Sequence, residues 1–262
     1  MIQNSLAWNR LPIYLALFVG LSAPALGASF RSQNFIVTAP TKELAQEIGE
    51  RAEYCRKRQA LDWFGVELPA WAEPCPISAT VGADLKLQGW TSYVFLSGRP
   101  TSWQMQVQGP RAGLLRSVIP HEVNHAIFAT YFGRRLPRWA EEGACVSVEH
   151  PRERGDLEGL LPRQLDLDKV MGLDQMFTLR QYPANVLPLY AQGYSLVSFL
   201  LTKGGKQKFV AFLRDGTESA NWALAAQRHY NHPTLLDLQM AWLQWAAPSV
   251  ERTDALIADA KQ

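Results

Sequence analysis

His121-Glu122-Val123-Asn124-His125 concentrates more chemistry than any other stretch of this chain, and it holds two of the chain's five histidines. On an α-helix, residues i and i+4 share a face. Both imidazoles can therefore reach one tetrahedral Zn2+ and leave other coordination positions open. Glu122 lies about 100° around the helix from His121, beside such a metal rather than on it. A carboxylate there can take a proton from an attacking water and return it to a leaving amine. Val118, Ile119, Val123, Ala126, Ile127 and Phe128 surround the motif, so the helix is predicted to be buried. Unpaired histidines and a glutamate in a buried helix would be costly, which argues that they serve a ligand.

A third ligand is sought in Pro137-Arg138-Trp139-Ala140-Glu141-Glu142-Gly143-Ala144-Cys145. Pro137 suits the start of a helix. Trp139, Gly143 and Val146 form its inward stripe, which Glu142 borders, while Glu141 shares a more outward face with Arg138 and Cys145. Glu142 is thus assigned as the third ligand, and Glu141 as a surface acid or a partner that orients a ligand. Gly143 is expected to let this helix approach the metal helix closely. Cys145 reads as a small buried hydrophobe, because a thiolate added to His, His and Glu would close the position catalysis needs. His150 reads as a helix-end cation.

His121-Glu122-x-x-His125 followed by Trp139-Ala140-Glu141-Glu142-Gly143 resembles the gluzincin zinc metallopeptidases. The stretch from Pro120 to Cys145 resembles the compact, exported peptidase MA-like proteins of that superfamily. The resemblance implies a zincin-like α+β fold, a small mixed sheet with the metal helix plus a helical C-terminal lobe. It also implies one Zn2+ per chain, a peptide or protein substrate, and Glu142 as a ligand, since the family's third ligand directly precedes a glycine or alanine. Tyr190-Ala191-Gln192-Gly193-Tyr194 resembles the Tyr-Glu-Lys-Gly segment of the aminopeptidase branch. That implies Tyr190 as a hydrogen-bond donor to the tetrahedral intermediate, with Tyr194 and His229 as alternatives; plain core packing of Tyr190 stays equally open.

The departures from the family matter as well. No Gly-x-Met-x-Asn exopeptidase segment stands between Gly82 and Gly113, so an endopeptidase is favoured over an aminopeptidase. Where thermolysin-like members carry an aspartate that orients a histidine ligand, this chain has Val146. Asn124, Glu149 or a backbone carbonyl must do that work. Two other classes remain as rivals: a non-catalytic zinc-binding structural module, and a metallohydrolase acting on a non-protein amide such as a cell-wall amide.

Several elements must position these groups. Asn34 to Thr38 reads as a strand, followed by an amphipathic helix capped by Thr41 and stopped at Gly65. Strands follow at Ile77–Val81, Ser92–Leu96 and Trp103–Val107. The last alternates apolar residues with Gln104, Gln106 and Gln108, and is expected to form a cleft edge where an extended peptide pairs. Leu114 to Phe132 reads as one helix kinked at Pro120. Helices are expected at Tyr190–Leu201, Lys206–Leu213, Ser219–Tyr230 and Leu235–Trp245.

The 262 residues are 47% hydrophobic and 19% charged, too apolar for a disordered chain. The net charge of +2, without a basic block, gives no support to nucleic-acid binding. Arg10 followed by the apolar run Leu11–Leu21 reads as an export signal over residues 1–27, with an uncleaved N-terminal anchor as the alternative. No membrane span is expected after it. The mature chain is expected as a sheet lobe over 28–112 and a lobe of metal-binding and C-terminal helices over 113–262, one catalytic unit in the periplasm or outside the cell. In that oxidising setting Cys55 and Cys75 are plausible disulfide partners.

Overall fold

The computed structural model of the chain describes residues 3–4, 27–160, 169–179 and 185–247. The run expected as an export signal falls almost wholly outside them. The architecture is mixed α+β, and the chain divides into two compact units. Met1–Leu136 with Ala144–Arg154 forms the first, and Pro137–Gly143 with Gly155–Gln262 the second. No helix among the described residues is long and apolar enough to cross a membrane.

The first unit is built on a sheet. Its strands are β1 (Gln3–Asn4), β2 (Ala28–Arg31), β3 (Phe35–Ala39), β4 (Cys75–Val81), β5 (Gln88–Leu96) and β6 (Arg99–Gly109). They lie in the order β1-β5-β6-β4-β3-β2. β3, β4 and β6 run parallel, while β2 and β5 are antiparallel to their neighbours, so five strands of real length make a mixed sheet. Alternation along β3, β4 and β6 selects the buried face, with Phe35 and Val37, Cys75 and Ile77, and Met105 and Val107 all buried.

The expectation that Trp103–Val107 forms a cleft edge does not hold. That stretch lies in β6, which pairs with β4 on one side and β5 on the other. Its glutamines mark a solvated face, which an internal strand of a one-sided sheet has just as an edge strand does. The edges are β2 on one side and the two-residue β1, paired to β5, on the other.

Helix α1 (Lys42–Phe64) begins and ends as its sequence dictates. Thr41 Oγ1 accepts the Leu44 N–H at 3.3 Å, and Gly65, at φ 73°, donates its N–H to Leu61 O. A three-residue turn α2 (Arg111–Gly113) leads into a π-helical turn, Leu114–Val118, and then α3 (Ile119–Phe132). The kink expected at Pro120 is resolved by this wide turn. Pro120 has no N–H for the carbonyl of Arg116, and its ring would clash with that carbonyl in a continuous α-helix. The Ile119 N–H instead donates to Leu114 O, five residues back, and Pro120 falls in the first turn of α3, where no N–H is needed. The Leu115 carbonyl, which Ile119 would have claimed in an α-helix, accepts Arg51 Nε from α1 at 2.8 Å. Gln59 Nε2 donates to Pro120 O at 3.1 Å, so α1 grips the metal-motif helix at its start.

Helices dominate the second unit. It contains the first six residues of α4 (Arg138–Ser147), the last four of α5 (Pro151–Glu158), and α6 (Leu173–Thr178), α7 (Leu187–Ser219), α8 (Trp222–Tyr230) and α9 (Leu235–Ala246). Gly205, at φ 72° and ψ 178°, breaks α7 near the boundary between the two helices expected there. Asn221 caps α8, and Thr234 with Asp237 forms a capping box on α9. Trp139 stacks on Phe177 at 4.4 Å, and Phe212 and Trp222 pack around that pair. Within the second unit, the close approach at Gly143 is to α7. A Cβ there would meet Val197 Cγ2 at 2.7 Å and Gly193 O at 2.8 Å, and one on Gly193 would meet Trp139 O at 2.7 Å. The two glycines let α4 and α7 touch backbone to backbone, an approach any side chain would block.

Candidate metal centre

Helix α3 is buried from Ile119 through Ala129. Within it His121, Glu122 and His125 are 4%, 3% and 2% exposed. The Nε2 atoms of His121 and His125 lie 3.3 Å apart. Two nitrogens each about 2.0–2.1 Å from one tetrahedral ion would be about 3.3–3.4 Å apart, so the pair already has the bite of a bidentate metal site. The ligand atoms of His121, His125 and Cys145 all lie within 4.8 Å of one another, and this buried group can hold a metal ion. Imidazole and thiol donors suit zinc and its neighbours in the first transition row better than calcium or magnesium.

Cys145 is therefore more than the buried hydrophobe expected from sequence. It is fully buried, and its Sγ accepts Asn124 Nδ2 at 3.4 Å. Asn124 is thus engaged with the thiol, and its buried Oδ1 has no hydrogen-bond partner among the described residues. Of the groups expected to orient a ligand, Glu149 stands in place. Its Oε1 is 2.6 Å from His121 Nδ1, and both side chains are 5% exposed. A carboxylate on Nδ1 fixes the tautomer that presents the Nε2 lone pair to a metal.

Glu122 is held from the sheet. Thr91 Oγ1, on β5, donates to Glu122 Oε2 at 2.7 Å, and Thr91 is fully buried. Two residues earlier, a Cβ on Gly89 would fall 2.3 Å from Glu122 Oε1. The carboxylate occupies the space a side chain would need. Cys75 also senses this charge: burial pushes its thiol up, and Glu122 pushes it in the same direction.

Glu142 and Tyr190 come together in the second unit. Tyr190 Oη donates to Glu142 Oε1 at 3.4 Å, and Arg138 Nη2 lies 3.5 Å from the same oxygen. Arg138 also donates to the Tyr190 oxygen and lies over its ring. Glu141 is 5% exposed, so it is not the surface acid its helix position suggested, and Glu142 is 6% exposed. Tyr194 and His229 are tied up elsewhere, Tyr194 Oη donating to Glu158 at 2.8 Å and His229 Nε2 lying 2.9 Å from Asp215. His150 pairs with Glu153 at 3.2 Å near the start of α5.

Cys55 and Cys75 are separate free thiols, not the disulfide expected from export. Each is buried in its own element, Cys55 on α1 and Cys75 on β4, where its Sγ donates to Pro76 O at 3.7 Å. Burial pushes the Cys55 thiol up to about 11.

Thr91, Gly89 and Arg138 belong to no motif of the sequence. A glycine inside a strand marks a close approach of something to the backbone, so Gly89 carried a usable signal. Thr91 and Arg138 carried none. The chain matches no protein-family model and no curated protein.

Proposed function

We propose that this protein is an exported zinc-dependent metallopeptidase of the gluzincin type, cleaving peptides internally. The carrying observation is the pair of converging Nε2 atoms at 3.3 Å, with His121 braced by Glu149 and the Glu122 carboxylate fixed on the same helix. Two imidazoles with this bite and a buried carboxylate beside them are what metal-assisted amide hydrolysis requires. Bound zinc would supply a Lewis acid that polarises the scissile carbonyl. Glu122 accepts a proton from the attacking water and delivers it to the departing amine. His121, with Glu149 on Nδ1, keeps its Nε2 lone pair for the metal. The carboxylate that the sequence assigns as third ligand, Glu142, stands one helical turn before Cys145 on α4. Tyr190, hydrogen-bonded to that carboxylate and to Arg138, is the phenol that would donate to the developing oxyanion.

The test is made on purified mature protein loaded with zinc. About one zinc per chain is expected, with cleavage inside the members of a peptide library. Glu122→Gln is expected to keep the metal and lose hydrolysis. An unaffected variant overturns the mechanism. Turnover of cell-wall fragments but not of peptides would move the substrate to a non-protein amide, and bound zinc with no turnover of either would make the protein a binding module.

A further inference from the structure

We infer that Thr91 is a positioning residue for Glu122, holding its carboxylate in one orientation from strand β5 of the sheet; this rests on the peptidase reading above. A glutamate side chain has three rotatable bonds, and a proton acceptor must be in place before the water arrives. Two constraints on β5 supply that order. The Thr91 hydroxyl donates to Oε2 at 2.7 Å, and the absent side chain of Gly89 leaves the room that Oε1 fills. Residues 89 and 91 are two apart on a strand, so both face α3. The backbone beneath them is fixed by pairing with β6, Gly89 opposite Val107 and Thr91 opposite Met105. The hydroxyl is fully buried and sits where only a hydrogen-bond donor meets the carboxylate's need. A threonine placed there for β-propensity alone could be valine at no cost to function.

Thr91→Val preserves the shape and removes only the donor. The expected result is a drop in kcat of about 10–100-fold, the worth of one hydrogen bond to a charged group, with KM, zinc content and melting temperature little changed. Thr91→Ser, which keeps the hydroxyl, should recover most of the rate; a structural role would not discriminate the two in this way. Thr91→Ala serves if the valine variant folds poorly. Independently of turnover, a crystal structure of zinc-loaded Thr91→Val should show the Glu122 carboxylate rotated away from its place beside Gly89. A valine variant with wild-type kcat, or with Glu122 unmoved, overturns the inference and leaves the peptidase reading standing. Wild-type protein that hydrolyses no peptide defeats the peptidase reading, and the crystallographic comparison then decides whether Thr91 holds Glu122.

Discussion

Glu149 reaches back across 28 residues of chain to place its Oε1 2.6 Å from His121 Nδ1. It lies just past α4, so the end of that helix determines how an imidazole on α3 is turned. Glu149→Ala is expected to weaken zinc binding by about 10–100-fold, measured by chelator competition, and Glu149→Gln, which keeps an acceptor, by less. Equal affinity in all three proteins would show that Nδ1 needs no carboxylate.

Tyr190 makes a separate prediction. Its hydroxyl is shared between Glu142 and Arg138. Tyr190→Phe should lower kcat by about 100-fold or more if the phenol donates to the oxyanion, while zinc content stays near one per chain. Unchanged turnover would reduce Tyr190 to a packing residue.

The glycines of the helices offer an internal comparison. Gly143→Ala forces a Cβ to within 2.8 Å of Gly193 O and should destabilise the protein by about 1–3 kcal/mol in denaturant unfolding. Gly155→Ala, on α5, meets nothing within 4 Å among the described residues and should be neutral or stabilising by about 0.5–1 kcal/mol. If both variants unfold alike, the close approach of α4 to α7 is wrong.

The cysteines can be counted directly. All three are buried and free, and the Cys55 thiol is raised to about 11. Native protein should therefore react slowly with a thiol reagent near pH 8, since the raised thiol is almost wholly protonated there. Three equivalents should react on unfolding without reductant. Reactivity of native Cys55 should rise only as the pH approaches 11 or the fold opens. A single equivalent on unfolding would restore the Cys55–Cys75 disulfide.

What could be read from sequence followed from local rules. Thr41 and Gly65 announce the ends of α1, and i, i+4 spacing alone brings His121 and His125 onto one face. Burial of the motif helix was equally plain from its apolar flanks. Long-range pairing was not legible. The alternation in Trp103–Val107 gives the face of a strand but not its neighbours, so an internal strand passed for an edge. Thr91 meets Glu122 across 31 residues, and nothing in either local sequence points to the other. Glu141 and Glu142 differ by one position on a helix, and facing rules placed the first outside because they do not count what packs against that side.

The π-helical turn at Leu114–Val118 carries one residue more than an α-turn would. Everything after it is rotated by about 100° relative to an uninterrupted helix. The face of α3 that carries the two imidazoles, measured from the turn before Leu114, is therefore set by a count of residues, while Glu149 sets only how the His121 ring is turned on that face. Removing a single residue from that turn would aim an intact set of metal-binding groups at the wrong part of the molecule.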